Sequence, residues 1–218
     1  MRVSLALAVA VLLVASGVAQ VRQGNARDFS PEILTEPPIN NWPTNGGNLH
    51  NQRYSPLKAV NRDNVVQLKG VWRTRLRGSA TQPQYSGFAA QHVYEGVAYV
   101  STGANDVFAL SIDTGEILWQ YEAKLDPNIT SVCCGWNNKG VAINEDKVFI
   151  GQLDGKLLAL DRATGQIAWS IQAERWQENF SITAAPLYVD LSTLREPQGQ
   201  PGQSPQATSP GAGGMVIV

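Results

Sequence analysis

Short apolar runs with the alternation of β-strands recur along the middle of the chain. Residues 97–100 and 147–150 form the first run of each copy, and residues 107–110 and 157–160 form the second. Alternation indicates strands because successive side chains of a strand point to opposite faces of a sheet. The pattern predicts an all-β fold built from meanders of four short strands.

These strands belong to an internal repeat. Residues 106–119 recur as residues 156–169, and both copies end on a tryptophan, Trp119 and Trp169. A Thr-Gly pair precedes the last strand of each copy and predicts a tight turn, because glycine tolerates a positive φ. A weaker copy ends at Trp72. Meanders of this size cannot bury both faces alone, so a repeat near 50 residues favours β-propeller blades over a β-sandwich.

The two ends of the chain differ from the repeats. Residues 1–19 have a basic start, an apolar run and small residues near Ala19, which predicts a secretory signal peptide and a periplasmic protein. An uncleaved membrane anchor is the alternative, but the apolar run is shorter than the roughly 20 residues of a spanning helix, so we expect cleavage and no membrane segment after it. The remaining boundaries are an extended lead-in (20–40), propeller blades (41–190), a disordered low-complexity insertion (191–214) and the start of a strand (215–218).

Composition and charge exclude several functions. The 17 basic and 18 acidic residues are interspersed and give a net charge of -1, so the sequence argues against nucleic acid as a partner. His50 and His92 lie apart from other metal-ligating residues and are interpreted as surface or strand histidines. Asp146 and Asp154 are interpreted as hairpin-turn residues. We find no hydrolase triad and no phosphate-binding loop.

The only two cysteines are adjacent, Cys133 and Cys134. An exported protein allows a disulfide between them, although a trans peptide holds the two Cα atoms only ~3.8 Å apart, below the usual disulfide range. Such a bond would add little stability and favours a local role, such as a rigid plate against a ligand. Two free thiols in a buried turn remain the alternative.

Taken together, the repeats and the adjacent cysteines resemble a known family. The closing tryptophans Trp72, Trp119 and Trp169 resemble the docking motif of the eight-bladed quinoprotein dehydrogenases, which depend on pyrroloquinoline quinone (PQQ). Residues 42–47 and 53–57 are similar to the N-terminal region of the methanol and ethanol dehydrogenase branch, and residues 133–140 to its vicinal-disulfide segment. The resemblance covers residues 41–190.

The resemblance implies a cofactor site and an activity. A Cys133–Cys134 disulfide would form one wall of the PQQ site, and Thr183 would bind cofactor carboxylates, with an ordinary strand threonine as the alternative. Lys139 replaces an arginine of the family and keeps its charge without the bidentate fork. Phe88 stands where a cofactor-binding glutamate is expected. The family oxidises primary alcohols to aldehydes with Ca²⁺ or a lanthanide and passes the electrons to a cytochrome c.

The family's catalytic aspartate and metal ligands have no counterpart in these 218 residues. We therefore expect this chain alone to be inactive. The alternatives are a non-catalytic propeller scaffold of the outer-membrane assembly type, which has no evident reason to keep adjacent cysteines, and a functionless fragment that aggregates through exposed strand edges.

Overall fold

The computed structural model describes residues 29–79, 85–130, 132, 135–190 and 214–218. The predicted signal peptide, both cysteines and most of the predicted low-complexity insertion lie outside these residues. In the described ranges no helix is long and apolar enough to span a membrane.

The predicted extended lead-in contains a short helix, α1 (Pro31–Thr35). The Ser30 hydroxyl accepts a hydrogen bond from the Ile33 amide at 3.5 Å, and Pro31 occupies the first turn, where its fixed φ suits a helix. Phe29 and Leu34 are buried in the main core. The prediction of an extended conformation over residues 20–40 was therefore wrong at α1, because the serine cap and the proline favour a helical turn.

The first repeat forms a four-stranded antiparallel sheet, which we call the first sheet. A two-residue strand, β1 (Tyr85–Ser86), precedes it. The strands of the first sheet lie in chain order and are β2 (His92–Tyr94), β3 (Val97–Ser101), β4 (Val107–Ser111) and β5 (Ile117–Tyr121). This is the predicted meander of four strands, and β4 is almost entirely buried because both faces of the sheet are covered.

The second repeat forms a second sheet of the same topology. After the short strand β6 (Trp136–Asn137), its strands are β7 (Ala142–Ile143), β8 (Lys147–Gly151), β9 (Lys156–Asp161) and β10 (Ile167–Gln172). A final antiparallel pair joins β11 (Leu187–Asp190) and β12 (Gly214–Ile217). The strand predicted at the end of the chain is thus present and begins one residue earlier, at Gly214.

Two local predictions need correction and two hold. The last strand of each repeat does not end on its tryptophan: β5 continues to Tyr121 and β10 to Gln172, because Val107 and Lys156 of the preceding strands pair with these residues. The weaker repeat before Trp72 contains a 3₁₀ helix (Val65–Gln67) in place of a strand. The hairpin turns predicted at residues 146 and 154 are both present.

A tryptophan from one repeat lies on the Thr-Gly turn of the next. The Trp72 indole Nε1–H donates to the Ile112 carbonyl at 2.8 Å, and a side chain at Gly115 would meet the indole ring at 2.5 Å. The same contacts recur in the next repeat, where Trp119 donates to the Arg162 carbonyl at 2.9 Å and its ring lies against Gly165. The Trp119 contact is the joint between the two sheets. Trp169, in contrast, contacts Phe149 at 6.0 Å between ring centroids, and no third glycine turn packs on it among the described residues.

A buried arginine strengthens the joint between the sheets. Arg162 is only 2 % exposed, yet it belongs to the turn after β9. Its guanidinium lies 3.2 Å from the Tyr99 hydroxyl and 3.2 Å from the Glu95 carboxylate, and its Nε donates to the Glu145 carbonyl at 2.9 Å. It also stacks on the Tyr94 ring, 4.9 Å from the ring centroid. One side chain of the second sheet therefore connects to three side chains of the first.

Candidate functional site

Three chain segments that precede inner strands lie side by side and form the candidate site. The Ala90 amide donates to the Lys139 carbonyl at 3.0 Å, and the Lys139 amide donates to the Thr183 carbonyl at 3.0 Å. Further back, β1 and β6 pair in parallel, with Ser86 opposite Asn137. These segments precede β2, β7 and β11, so the hydrogen bonds bring the backbone of Lys139 beside that of Thr183 and that of Ala90, two residues after Phe88.

Two neighbours of Lys139 hold its backbone in place. Asn138 is fully buried: its amide donates to the Gly151 carbonyl at 2.9 Å, and its Oδ1 accepts from Ser101 at 2.8 Å and from the Gly140 amide at 2.9 Å. Gly140 has φ 131°, and a Cβ there would lie 2.9 Å from the Ala90 carbonyl oxygen. A side chain at position 140 would therefore push the segments apart.

The predicted cofactor residues differ in exposure. The Lys139 side chain is exposed and makes no ion pair within the described ranges. Thr183 is half-buried, and its hydroxyl has no hydrogen-bond partner among the described residues, so no backbone group satisfies it there. Phe88 is 70 % exposed. The three neighbouring segments thus carry a cation, a hydroxyl and an aromatic ring, and the backbone hydrogen bonds hold these segments side by side.

The predicted disulfide lies outside the described residues, but its two flanks are described. Trp136 is buried and donates from its indole to the Ile129 carbonyl at 2.9 Å, and Val132 packs against the same small apolar cluster. Ala104 and Leu153 complete this cluster. β6 pairs with β1, which lies just before Phe88 in the chain. The described residues that follow Cys134 are therefore neighbours of the candidate site.

A cavity of about 600 Å³ adjoins Phe88 and Lys139. Such a volume is within the usual range for a bound organic ligand. Its other walls come from the N-terminal segment and from the residues before β2. The lining residues are Trp42, Asn45, Arg53, Phe88, Ala89, Ala90, Gln91 and Lys139. We call this space the Lys139 cavity.

His92 is a strand histidine, as predicted, and lies at the start of β2. It is 1 % exposed, and burial lowers its pKa from 6.5 to about 4, while a hydrogen bond to the Ala90 backbone partly opposes the shift. The imidazole is therefore neutral at pH 7, and it lies away from the Lys139 cavity lining.

The described residues offer no evident metal site, because nowhere among them do three His, Cys, Asp or Glu side chains come together. The buried carboxylate of Asp106 is instead structural: it accepts hydrogen bonds from the Ser79 amide at 3.0 Å, the Ser79 hydroxyl at 2.6 Å and the Ala123 amide at 2.9 Å. We therefore derive no metal ligand from these residues.

Sequence reasoning did not identify Asn138, Asp106 or Arg162. Asp106 and Arg162 lie inside the repeat but differ from their counterparts 50 residues away, Lys156 and Ile112. A polar residue that interrupts a repeat and becomes buried is the signal that could have pointed to them. Asn138 follows the cysteine segment, and nothing in its local sequence indicates complete burial.

Comparison with known proteins assigns the family. The model of the glucose/ethanol/alcohol dehydrogenase β-propeller domain, a PQQ domain, matches residues 42–172. The chain belongs to this family. Its two four-stranded sheets are accordingly propeller blades, and the predicted all-β fold is confirmed.

Relatives in the family are named as quinoprotein dehydrogenases. The chain is 38 % identical over 182 residues to the quinoprotein alcohol dehydrogenase PedH of Pseudomonas putida. This alignment covers 83 % of this chain and 30 % of PedH. It is 35 % identical over 183 residues to a quinoprotein ethanol dehydrogenase of Pseudomonas aeruginosa, covering 84 % of the chain and 28 % of the relative. The chain therefore spans about 30 % of the length of these relatives.

Solved structures agree with this assignment. The quinohemoprotein alcohol dehydrogenase ADHIIG of Pseudomonas putida HK5 superimposes with a TM-score of 0.66 at 33 % identity, over 74 % of this chain and 23 % of that one. A europium-containing methanol dehydrogenase superimposes with a TM-score of 0.62 at 29 % identity, over 71 % of this chain and 26 % of that one.

Proposed function

We propose that this chain is the N-terminal part of a PQQ-dependent dehydrogenase that oxidises a primary alcohol to an aldehyde, and that it supplies one side of the cofactor site. The observation that carries the proposal is the hydrogen-bonded alignment of the segments bearing Phe88, Lys139 and Thr183. Three neighbouring backbone segments carry these residues.

The side chains at this surface fit PQQ. PQQ is a flat aromatic quinone with three carboxylates, so a cation and a hydroxyl suit its acidic groups and an aromatic ring suits its face. Lys139 supplies the cation and Thr183 the hydroxyl. Bound PQQ supplies the chemistry of a two-electron oxidation, and the residues of this chain orient it and shield it from water.

We further propose that a Cys133–Cys134 disulfide borders the cofactor, beside the anchored residue Trp136. Trp136 is buried, and the partly buried Val132 packs against the same apolar cluster, so the described neighbours of the two cysteines on both sides belong to one cluster. Residues other than those described here would supply the catalytic carboxylate and the ligands of the Ca²⁺ or lanthanide ion. A cytochrome c would accept the electrons. The signal peptide would direct the protein to the periplasm.

The proposal is tested by titrating the purified chain with PQQ and following the absorbance of the cofactor in equilibrium dialysis. Lys139→Gln should weaken binding about tenfold, because it removes one charge-assisted hydrogen bond worth about 1.5 kcal/mol. Thr183→Val should weaken it by a smaller factor. Lys69→Gln, an exposed lysine outside the cavity lining, is the matched control and should change nothing.

Failure of the wild-type chain to bind PQQ would overturn the proposal. A second assay addresses inactivity: alcohol, Ca²⁺, PQQ and an artificial electron acceptor should give no turnover with this chain alone. Turnover in that mixture would contradict the expectation that catalytic groups lie elsewhere.

A further inference from the structure

Arg53 lines the Lys139 cavity, but neither the repeat nor the family resemblance gives it a role. It is an exposed residue of the N-terminal segment before the first sheet, and it shares the cavity with the residues that precede β2. Like Lys139, it makes no ion pair with any described residue. No Asp or Glu is among the described residues that line the cavity. Two positive charges therefore line one space in which the described lining residues supply no counter-charge.

The N-terminal wall of the cavity is held by backbone hydrogen bonds. Trp42 exchanges two of them with Val93 of β2, at 2.6 and 3.0 Å. The Arg53 amide donates to the Gly46 carbonyl at 3.0 Å, which closes a loop back to the same wall. Arg53 itself has φ 53°, in the left-handed region that long side chains seldom adopt. The loop therefore places Arg53 beside the cavity at a small conformational cost.

The cavity lining suits a flat anion. Trp42 and Phe88 provide aromatic surfaces, and the amides of Asn45 and Gln91 can donate hydrogen bonds. A guanidinium binds a carboxylate through two parallel hydrogen bonds, whereas an ammonium acts as a point charge. Arg53 can thus provide the bidentate fork that Lys139 lacks.

We propose that Arg53 binds a carboxylate of PQQ from the N-terminal side of the cavity, opposite Lys139. This inference rests on the proposed function, because it names a further residue of the same cofactor site. It implies that the cofactor contacts the segment before the first blade as well as the blades. Lys139 stands where the family has an arginine, and Arg53 would still provide a planar cation for an acidic ligand beside Phe88.

The test compares two ligands that share a ring system but differ in charge, PQQ and its trimethyl ester. Arg53→Gln should weaken binding of PQQ by about tenfold, the effect of one charge-assisted contact, and binding of the ester by less than twofold. Arg53→Lys should fall between the wild type and Arg53→Gln, because charge remains without the fork. Arg62→Gln, an exposed arginine of the same segment that does not line the cavity, is the control.

The outcomes separate this inference from the function on which it rests. If Lys139→Gln weakens PQQ binding and Arg53→Gln does not, the inference is wrong and the proposed function stands. If Arg53→Gln weakens both ligands equally, Arg53 supports the cavity wall without binding a carboxylate, and the inference is again wrong. If the wild-type chain binds no PQQ, both fail. Unchanged circular dichroism and thermal midpoint would establish that the variants are folded.

Discussion

The two sheets share one repeat and one topology, but their outer strands have different surroundings. In the first sheet, β5 is partly covered, and Trp119 is 8 % exposed because Tyr99 of its own sheet and the Thr-Gly turn of the second sheet both lie against it. In the second sheet nearly every residue of β10 is exposed, and Ile167 and Ile171 face solvent. The comparison teaches that a blade of this type supplies only half of each joint. Its tryptophan is a core residue only when a neighbouring turn is present.

The strongest test of this difference is to remove each tryptophan. Trp119→Ala should lower the free energy of unfolding by about 4 kcal/mol, as is usual for a buried large aromatic residue. Trp169→Ala should cost about half as much, since its ring is partly exposed and no turn of the described chain packs on it. Urea denaturation followed by circular dichroism measures both. Equal losses would show that the joint adds nothing to the packing within each sheet.

A second difference lies at the inner strands, where His92 of the first sheet corresponds to Ala142 of the second. The pKa of His92 is lowered to about 4 by burial, so the unfolded chain binds a proton at a higher pH than the folded chain does. Its contribution is complete above pH 6.5 and is lost as the pH falls towards 4. A shift of this size corresponds to about 3 kcal/mol.

This acid sensitivity is measured by comparing the wild type with His92→Phe at several pH values. The wild type should lose more stability than the variant between pH 6.5 and pH 4, while carboxylates titrate equally in both. Parallel pH profiles would contradict a neutral, buried His92.

The last test concerns the turn half of the joint. Gly165 and Gly96 both have positive φ, 72° and 77°, but a Cβ would lie 2.5 Å from the Trp119 ring at Gly165 and would meet nothing within 4 Å at Gly96. Gly96→Ala should cost about 1 kcal/mol for backbone strain alone. Gly165→Ala should cost about 2 kcal/mol more, because it also displaces the indole. Denaturation midpoints that agree within error would mean that the indole moves aside freely.

Sequence reasoning identified the elements that depend on local pattern. The strands, the Thr-Gly turns and the final strand at Gly214 follow from alternation and glycine chemistry. The helix at Pro31 was missed because its signal, one serine before a proline, is short and lies in a proline-containing stretch.

The site residues could be predicted only where they match a motif of the family. Lys139 and Thr183 were named from the family resemblance. The backbone hydrogen bond between them could not be predicted, because it forms only when two distant segments meet in space. Arg53 could not be placed at the cavity from the sequence, since its position depends on a loop closed by the Gly46 carbonyl. Arg162 was equally hidden, because a turn arginine is ordinarily solvated and this one becomes buried only when two sheets pack.

The joints also have a consequence for the order in which the protein can fold. Trp72 and its acceptor are 40 residues apart, and Trp119 and its acceptor are 43 residues apart. Each of these two tryptophans can therefore dock as soon as the turn of the following repeat has been synthesised, without waiting for distant parts of the chain. The same locality allows a repeat unit to be duplicated or lost during evolution while the neighbouring contacts keep their chemistry.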